Sequence, residues 1–105
     1  MRVHNKSTLV GYTKEHPLAE KPLRQWYGNA LKANWKNSGE LKEQLGNASI
    51  INKKRVVFNI KGNDFRLVAD IEFEFQKIFV VWFGTHKEYD KIEVNKLKYV
   101  KTNKE

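Results

Sequence analysis

A histidine, a tyrosine and an aspartate fall within five positions of the stretch FGTHKEYDKI, Phe83 to Ile92. With Thr85 as a helix cap and Glu88 three residues on, the stretch has the spacing of a capping box. His86, Tyr89 and Asp90 then stand at i, i+3 and i+4 of one short helix and share a side. An imidazole, with an ordinary pKa near 6.5, gives or takes a proton at cellular pH. Acid–base chemistry on a charged substrate would also need a rigidly held cation nearby, and the sequence offers Arg66.

Whether Arg66 reaches that helix depends on strand register. After Asn52 the apolar pattern alternates in RVVFNI, FRLVADIEFEF and KIFVVWF, which are rich in β-branched and aromatic residues. An antiparallel meander is the economical arrangement. If Gly62 and Asn63 close the first hairpin, with Asn63 tolerating left-handed backbone, Asn59 faces Arg66, Val57 faces Val68 and Arg55 faces Asp70. Phe58, Val56, Ile60, Leu67, Ala69, Ile71 and Phe73 fall on the opposite face, which should pack on helices. With Phe75 and Gln76 as the second loop, Ile78, Val80 and Trp82 join that core face. Phe79, Val81, Phe83 and Thr85 join the open one, and Arg66 lies opposite Thr85. Arg66, His86 and Tyr89 thus converge from separate segments.

The helices lie ahead of the strands. Ser7 and Thr8 open a short first helix that ends at Pro17. From Ala19 to about Asn34, Leu23, Trp26, Tyr27, Ala30 and Leu31 recur at spacings of three and four, with Pro22 in the first turn. Asn37 and Glu40 begin a third helix that Gly46 stops. The fold class is therefore α+β: N-terminal helices on one face of an antiparallel β-meander, with a short C-terminal helix. The whole chain, 1–105, reads as one domain with a flexible basic tail from about residue 97.

Composition narrows the chemistry. The absence of cysteine excludes thiolate nucleophiles, disulfides and zinc-thiolate sites. His4, His16 and His86 are too scattered for a metal motif, and no P-loop, dinucleotide fingerprint or G-x-S-x-G occurs. The chain shows neither a signal-peptide core nor a run of membrane-spanning length, so a cytoplasmic setting without membrane contact is expected. A formal charge of +8 favours a polyanion such as nucleic acid as partner. Lysines kept for solubility alone are the bland alternative.

The stretches VVFNIKGNDFRLVADIEF and FGTHKEYDKI, with NWKNSGELKEQLGNASII ahead of them, resemble the HigB-type toxins of bacterial toxin-antitoxin systems. Phe58, Asn59, Asn63, Arg66, Thr85, His86, Tyr89 and Asp90 carry the likeness. It implies a RelE-like fold and a metal-free, cofactor-free endoribonuclease that cuts translated messenger RNA on the ribosome. A HigA-type antitoxin with a helix-turn-helix domain would be its partner. One departure is Val81, which stands where the resemblance implies a basic residue.

On that reading the RNA 2′-hydroxyl is the nucleophile. Arg66 holds the phosphoryl oxygens, and His86 is the general acid. Lys54 is either a base of depressed pKa or a second phosphate contact, and Tyr89 orients the ribose or stacks on a base. Lys53, Arg55 and Lys87 by charge, Asn59 and Asn63 by hydrogen bonding, and Phe83 by stacking are further RNA contacts. A non-catalytic RNA-binding module and an inactivated toxin of the same fold are the competing readings. A third is an interaction protein whose open sheet face meets an acidic partner.

Overall fold

The computed structural model describes residues 1–99. Along the chain run β1 (Arg2–His4), α1 (Lys6–Glu15), a 3-10 turn (Pro17–Ala19), α2 (Glu20–Lys32) and α3 (Ser38–Gln44). Then come β2 (Ser49–Ile50), β3 (Arg55–Ile60), β4 (Phe65–Glu72), β5 (Lys77–Thr85), α4 (His86–Tyr89) and a second 3-10 turn (Val94–Lys96). The five strands form a mixed sheet ordered β1-β5-β4-β3-β2, so the class is α+β as the pattern predicts.

The caps explain where the helices begin. The Asn37 side chain accepts the Glu40 N–H at 2.9 Å, satisfying a donor that α3 itself leaves open. Thr85 does the same for Glu88, whose carboxylate returns to the Thr85 N–H at 2.8 Å. The apolar stripe of α2 buries Leu23, Trp26 and Ala30 against the sheet. There the Trp26 and Trp35 rings meet Phe58 at 5.3 and 6.4 Å. Each such large side chain contributes roughly 1.5–3 kcal/mol on burial.

β3 and β4 pair in the expected register, Asn59 with Arg66, Val57 with Val68 and Arg55 with Asp70. Left-handed backbone in their hairpin falls on Lys61 and Gly62, however, and not on Asn63.

The β4–β5 pairing departs from expectation twice. The turn takes up residues 73–76, with Gln76 at φ 56, so Ile71 pairs with Ile78. A bulge then falls between Val68 and Ala69, whose partners are Trp82 and Val80, and Val81 is the extra residue. A bulge inverts the alternation beyond it. Phe83 therefore enters the core, 6% exposed and stacked on Phe65 at 5.4 Å, while Trp82 leaves it. Arg66 pairs with Gly84, and Thr85 with Phe65.

The far face of the sheet is partly covered rather than open. Arg55 and Asp70 are buried there, joined by two hydrogen bonds of 2.7 and 2.9 Å, and Val57 and Val68 are buried as well. Arg55 Nη1 donates to the carbonyls of Val94 and Leu97, fastening the C-terminal segment to β3. Tyr99 stands edge-on to Phe79 and donates from its hydroxyl to Asn5. The start of the expected basic tail is thus held in place, and the rest of it lies outside the described residues.

β1 escaped the sequence reading because three residues are too few to show alternation. It pairs in parallel with β5, and Asn5, in left-handed conformation, donates from its side chain to the Val80 carbonyl at 3.1 Å.

Candidate functional site

Three strands place Asn59, Arg66 and Gly84 in one row across the far face, close to the β3–β4 hairpin loop. Arg66 Nη1 donates to the carbonyls of Asn63 and Phe65, both at 3.2 Å, so the loop backbone fixes the guanidinium. Among the described residues no carboxylate pairs with it. A cation set on a strand with N–H groups to spare suits a phosphate. Asn59 ties the neighbouring loops together, donating to the Asn47 carbonyl at 3.2 Å and reaching the Asn63 side chain at 3.5 Å.

α4 begins one residue beyond the Phe65–Thr85 pair. The His86 backbone N–H donates to the Asp64 carbonyl at 3.0 Å, which stitches the helix to the same hairpin loop. His86 Nε2 lies 3.6 Å from Asp90 Oδ1, and both side chains are more than half exposed. An imidazole in that position is open to the surface at this end of the sheet. Tyr89 is half-buried, its ring 6.2 Å from that of Trp82. Glu88 is committed to the cap. The Thr85 backbone N–H, ahead of the Thr85 hydroxyl and the His16 and Lys91 charges, holds its carboxyl below the usual range. A carboxylate so held is a poor proton donor near neutrality.

The fold thus brings Arg66, His86, Tyr89, Asn59 and Asn63 to one end of the sheet, and Lys87 stands exposed on α4 beside them. Other sequence candidates lie elsewhere. Lys54, the residue just ahead of β3, is five positions from Asn59, about 17 Å at strand spacing, and lies beside Asp70, Glu72, Phe79 and Tyr99. Lys53 is exposed in the loop ahead of that strand. Arg55 is buried away from this group, its guanidinium engaged by Asp70 and two carbonyls. Phe83 lies in the core, because the bulge turns it inward.

Two contributors went unread in the sequence. Trp82 was assigned to the core by plain alternation, and only the bulge places it beside Arg66. Gly84, a glycine inside a strand pattern, carried a signal that could have been used, since such a residue often marks a close approach. Here the approach is by the Trp82 indole. Among the described residues no three His, Asp or Glu side chains gather as a metal site. No helix of the described chain is long and apolar enough to cross a membrane.

The family described as HigB toxin, RelE-like toxic component of a toxin-antitoxin system, matches residues 19–92. That span contains the whole row and α4. The chain is 51% identical over 37 residues to the mRNA interferase toxin HigB of Escherichia coli strain K12. The mRNA interferase HigB of Shigella flexneri matches to the same extent. The matched stretch covers 35% of this chain and 36% of each relative, so it spans about a third of their length.

Proposed function

The chain belongs to the HigB family of RelE-like toxins of toxin-antitoxin systems, and on that premise we propose that it is a metal-independent endoribonuclease that cuts translated messenger RNA. The relatives' name, mRNA interferase, supports the substrate class. The observation that carries the reading is the convergence of Arg66 with His86 and Tyr89 at one sheet end, with a hairpin backbone holding both the guanidinium and α4.

In the proposed reaction the 2′-hydroxyl oxygen bonds to the adjacent phosphorus and gives up its proton to solvent water. The phosphorus–5′-oxygen bond breaks, giving a 2′,3′-cyclic phosphate. Arg66 holds the phosphoryl oxygens as their charge grows, in the role of a preorganised donor. His86 delivers a proton to the departing 5′-oxygen. Tyr89 aligns the nucleotide, and Asn59 and Asn63 hold the backbone near the cut. Lys54, at the other end of the sheet, acts as a distant phosphate contact with Lys53, not as the base. Lys87 adds a further contact from α4.

The ribosome presents the message, and the excess positive charge of the chain serves ribosomal RNA. A HigA-type helix-turn-helix antitoxin neutralises the toxin, which works in the cytoplasm as a single domain. Val81 favours a second reading, an RNA-binding relative that has lost cleavage, because an apolar residue occupies the bulge where the family likeness implies a cation.

Inducible expression with mapping of message 5′-ends separates the two. Wild type should arrest growth and create new ends within reading frames. Arg66→Ala should lower cleavage about 10²–10³-fold, the cost of one such donor, and His86→Ala should also abolish arrest. Folded variants that still cut as wild type would remove these residues from the mechanism, and a soluble wild type that cuts nothing would leave the binding reading.

A further inference from the structure

We infer that Trp82 and Tyr89 form a stacking subsite for one base of single-stranded RNA beside Arg66, an inference that rests on the RNA-cleaving reading and deepens it. The bulge at Val81 puts Trp82 on the face of Asn59 and Arg66. It is half-buried there, whereas Trp26 and Trp35 are 8% and 4% exposed within the core.

The indole has a defined direction. A Cβ on Gly84 would lie 2.6 and 2.8 Å from two carbons of its six-membered ring, so the ring lies along the strand over bare backbone. Gly84 is the residue that pairs with Arg66. It does not adopt left-handed backbone, so its missing side chain provides room for the indole and not a special turn. Tyr89 stands at 51° to the indole with centroids 6.2 Å apart, leaving the two rings splayed and not stacked on each other. Glu88, the nearest acid to this glycine, is engaged in the Thr85 cap.

An aromatic surface beside a strand-mounted guanidinium matches the two needs of single-stranded RNA. The base finds a π-face and its phosphate a cation. Stacking tolerates any base, so the subsite would fix the position of a nucleotide next to the reacting phosphate without fixing its identity. Arg66 is thereby supplied with a phosphate at a set distance from a docked base, which restricts where along the message the 2′-hydroxyl is aligned.

Fluorescence and cleavage test this together. Wild type, Trp82→Phe and Trp82→Leu are titrated with an unstructured 5′-labelled oligoribonucleotide of about 12 nucleotides. Tryptophan emission and label anisotropy are followed, and melting temperatures are recorded. RNA should quench wild-type emission. Trp82→Phe should bind within about threefold of wild type, and Trp82→Leu roughly 5- to 150-fold more weakly. On message-programmed ribosomes Trp82→Leu should raise the half-saturating concentration more than it lowers the maximal rate.

The inference is overturned if wild type binds without quenching, if it fails to bind the oligonucleotide, or if folded Trp82→Leu binds as tightly as wild type. Should Trp82→Leu fail to fold, wild-type quenching and its loss in Trp82→Phe decide. RNA binding through Trp82 without any cleavage on ribosomes would sink the nuclease reading and leave the subsite. Cleavage that ignores Trp82→Leu would do the reverse.

Discussion

Arg55 offers the sharpest separation between charge read from sequence and charge placed in a fold. It is 5% exposed, and Asp70 is 6% exposed. Two bonds of 2.7 and 2.9 Å join them, and Nη1 also serves the Val94 and Leu97 carbonyls. Arg55→Met removes the cation and leaves the Asp70 carboxylate buried. Breaking one side of a buried pair costs about 3–5 kcal/mol. Unfolding entropy of roughly 2.1 cal/mol/K per residue gives about 0.22 kcal/mol/K for this chain, so a loss of about 4 kcal/mol lowers Tm by roughly 18 °C.

Urea denaturation and thermal melting followed by circular dichroism measure this directly. Arg55→Leu combined with Asp70→Leu should recover much of the loss, because apolar replacement leaves no unpaired charge. The salt dependence of RNA binding should be the same in folded Arg55→Met as in wild type, since a buried guanidinium releases no counterions. A stability loss below about 1 kcal/mol, the range of a solvated surface pair, together with a shallower salt dependence, would refute the buried clamp and restore Arg55 as an RNA contact.

The inverted alternation after Val81 predicts that Phe83→Ala costs about 3–5 kcal/mol, as for truncation of a core aromatic. A near-neutral Phe83→Ala in urea titration would contradict the bulge. Burial, with a smaller contribution from Glu15, pushes the Tyr12 phenol up to about 12 from 10.0. Its stabilising effect is complete below pH 10 and is lost as pH rises toward 12, because the unfolded chain releases this proton first. Wild type should therefore lose more stability than Tyr12→Phe over that interval, and parallel pH profiles of the two proteins would rule the burial effect out.

Features set by residues near one another were legible. Asn37 and Thr85 announced their caps, and Gly62 centred a hairpin whose pairing put Asn59 beside Arg66 as expected. The convergence of Arg66 with the HKEY helix was legible for the same reason. A two-residue error in the β4–β5 turn and a one-residue bulge partly cancelled, so Arg66 lies one position from where alternation puts it. The same bulge exchanged Trp82 and Phe83, because nothing in VVWF distinguishes an extra residue from a paired one. Arg55 was misread because its partners include carbonyls of residues 94 and 97, a pairing that no local pattern encodes. β1 was missed because its stability comes from a strand far down the chain.

That parallel edge also sets a schedule for synthesis. Arg2 pairs with Lys77, and the Asn5 side chain waits for a carbonyl 75 positions later. At an elongation rate of roughly 5–20 residues per second, the first strand spends about 4–15 s without its neighbour. Throughout that interval the nascent chain has neither β5 nor the segment that Arg55 will fasten. The row of Asn59, Arg66 and Gly84 likewise comes into being only once β5 has been made. Any protein that binds the emerging polypeptide before β5 arrives therefore meets an unfinished sheet instead of the completed row.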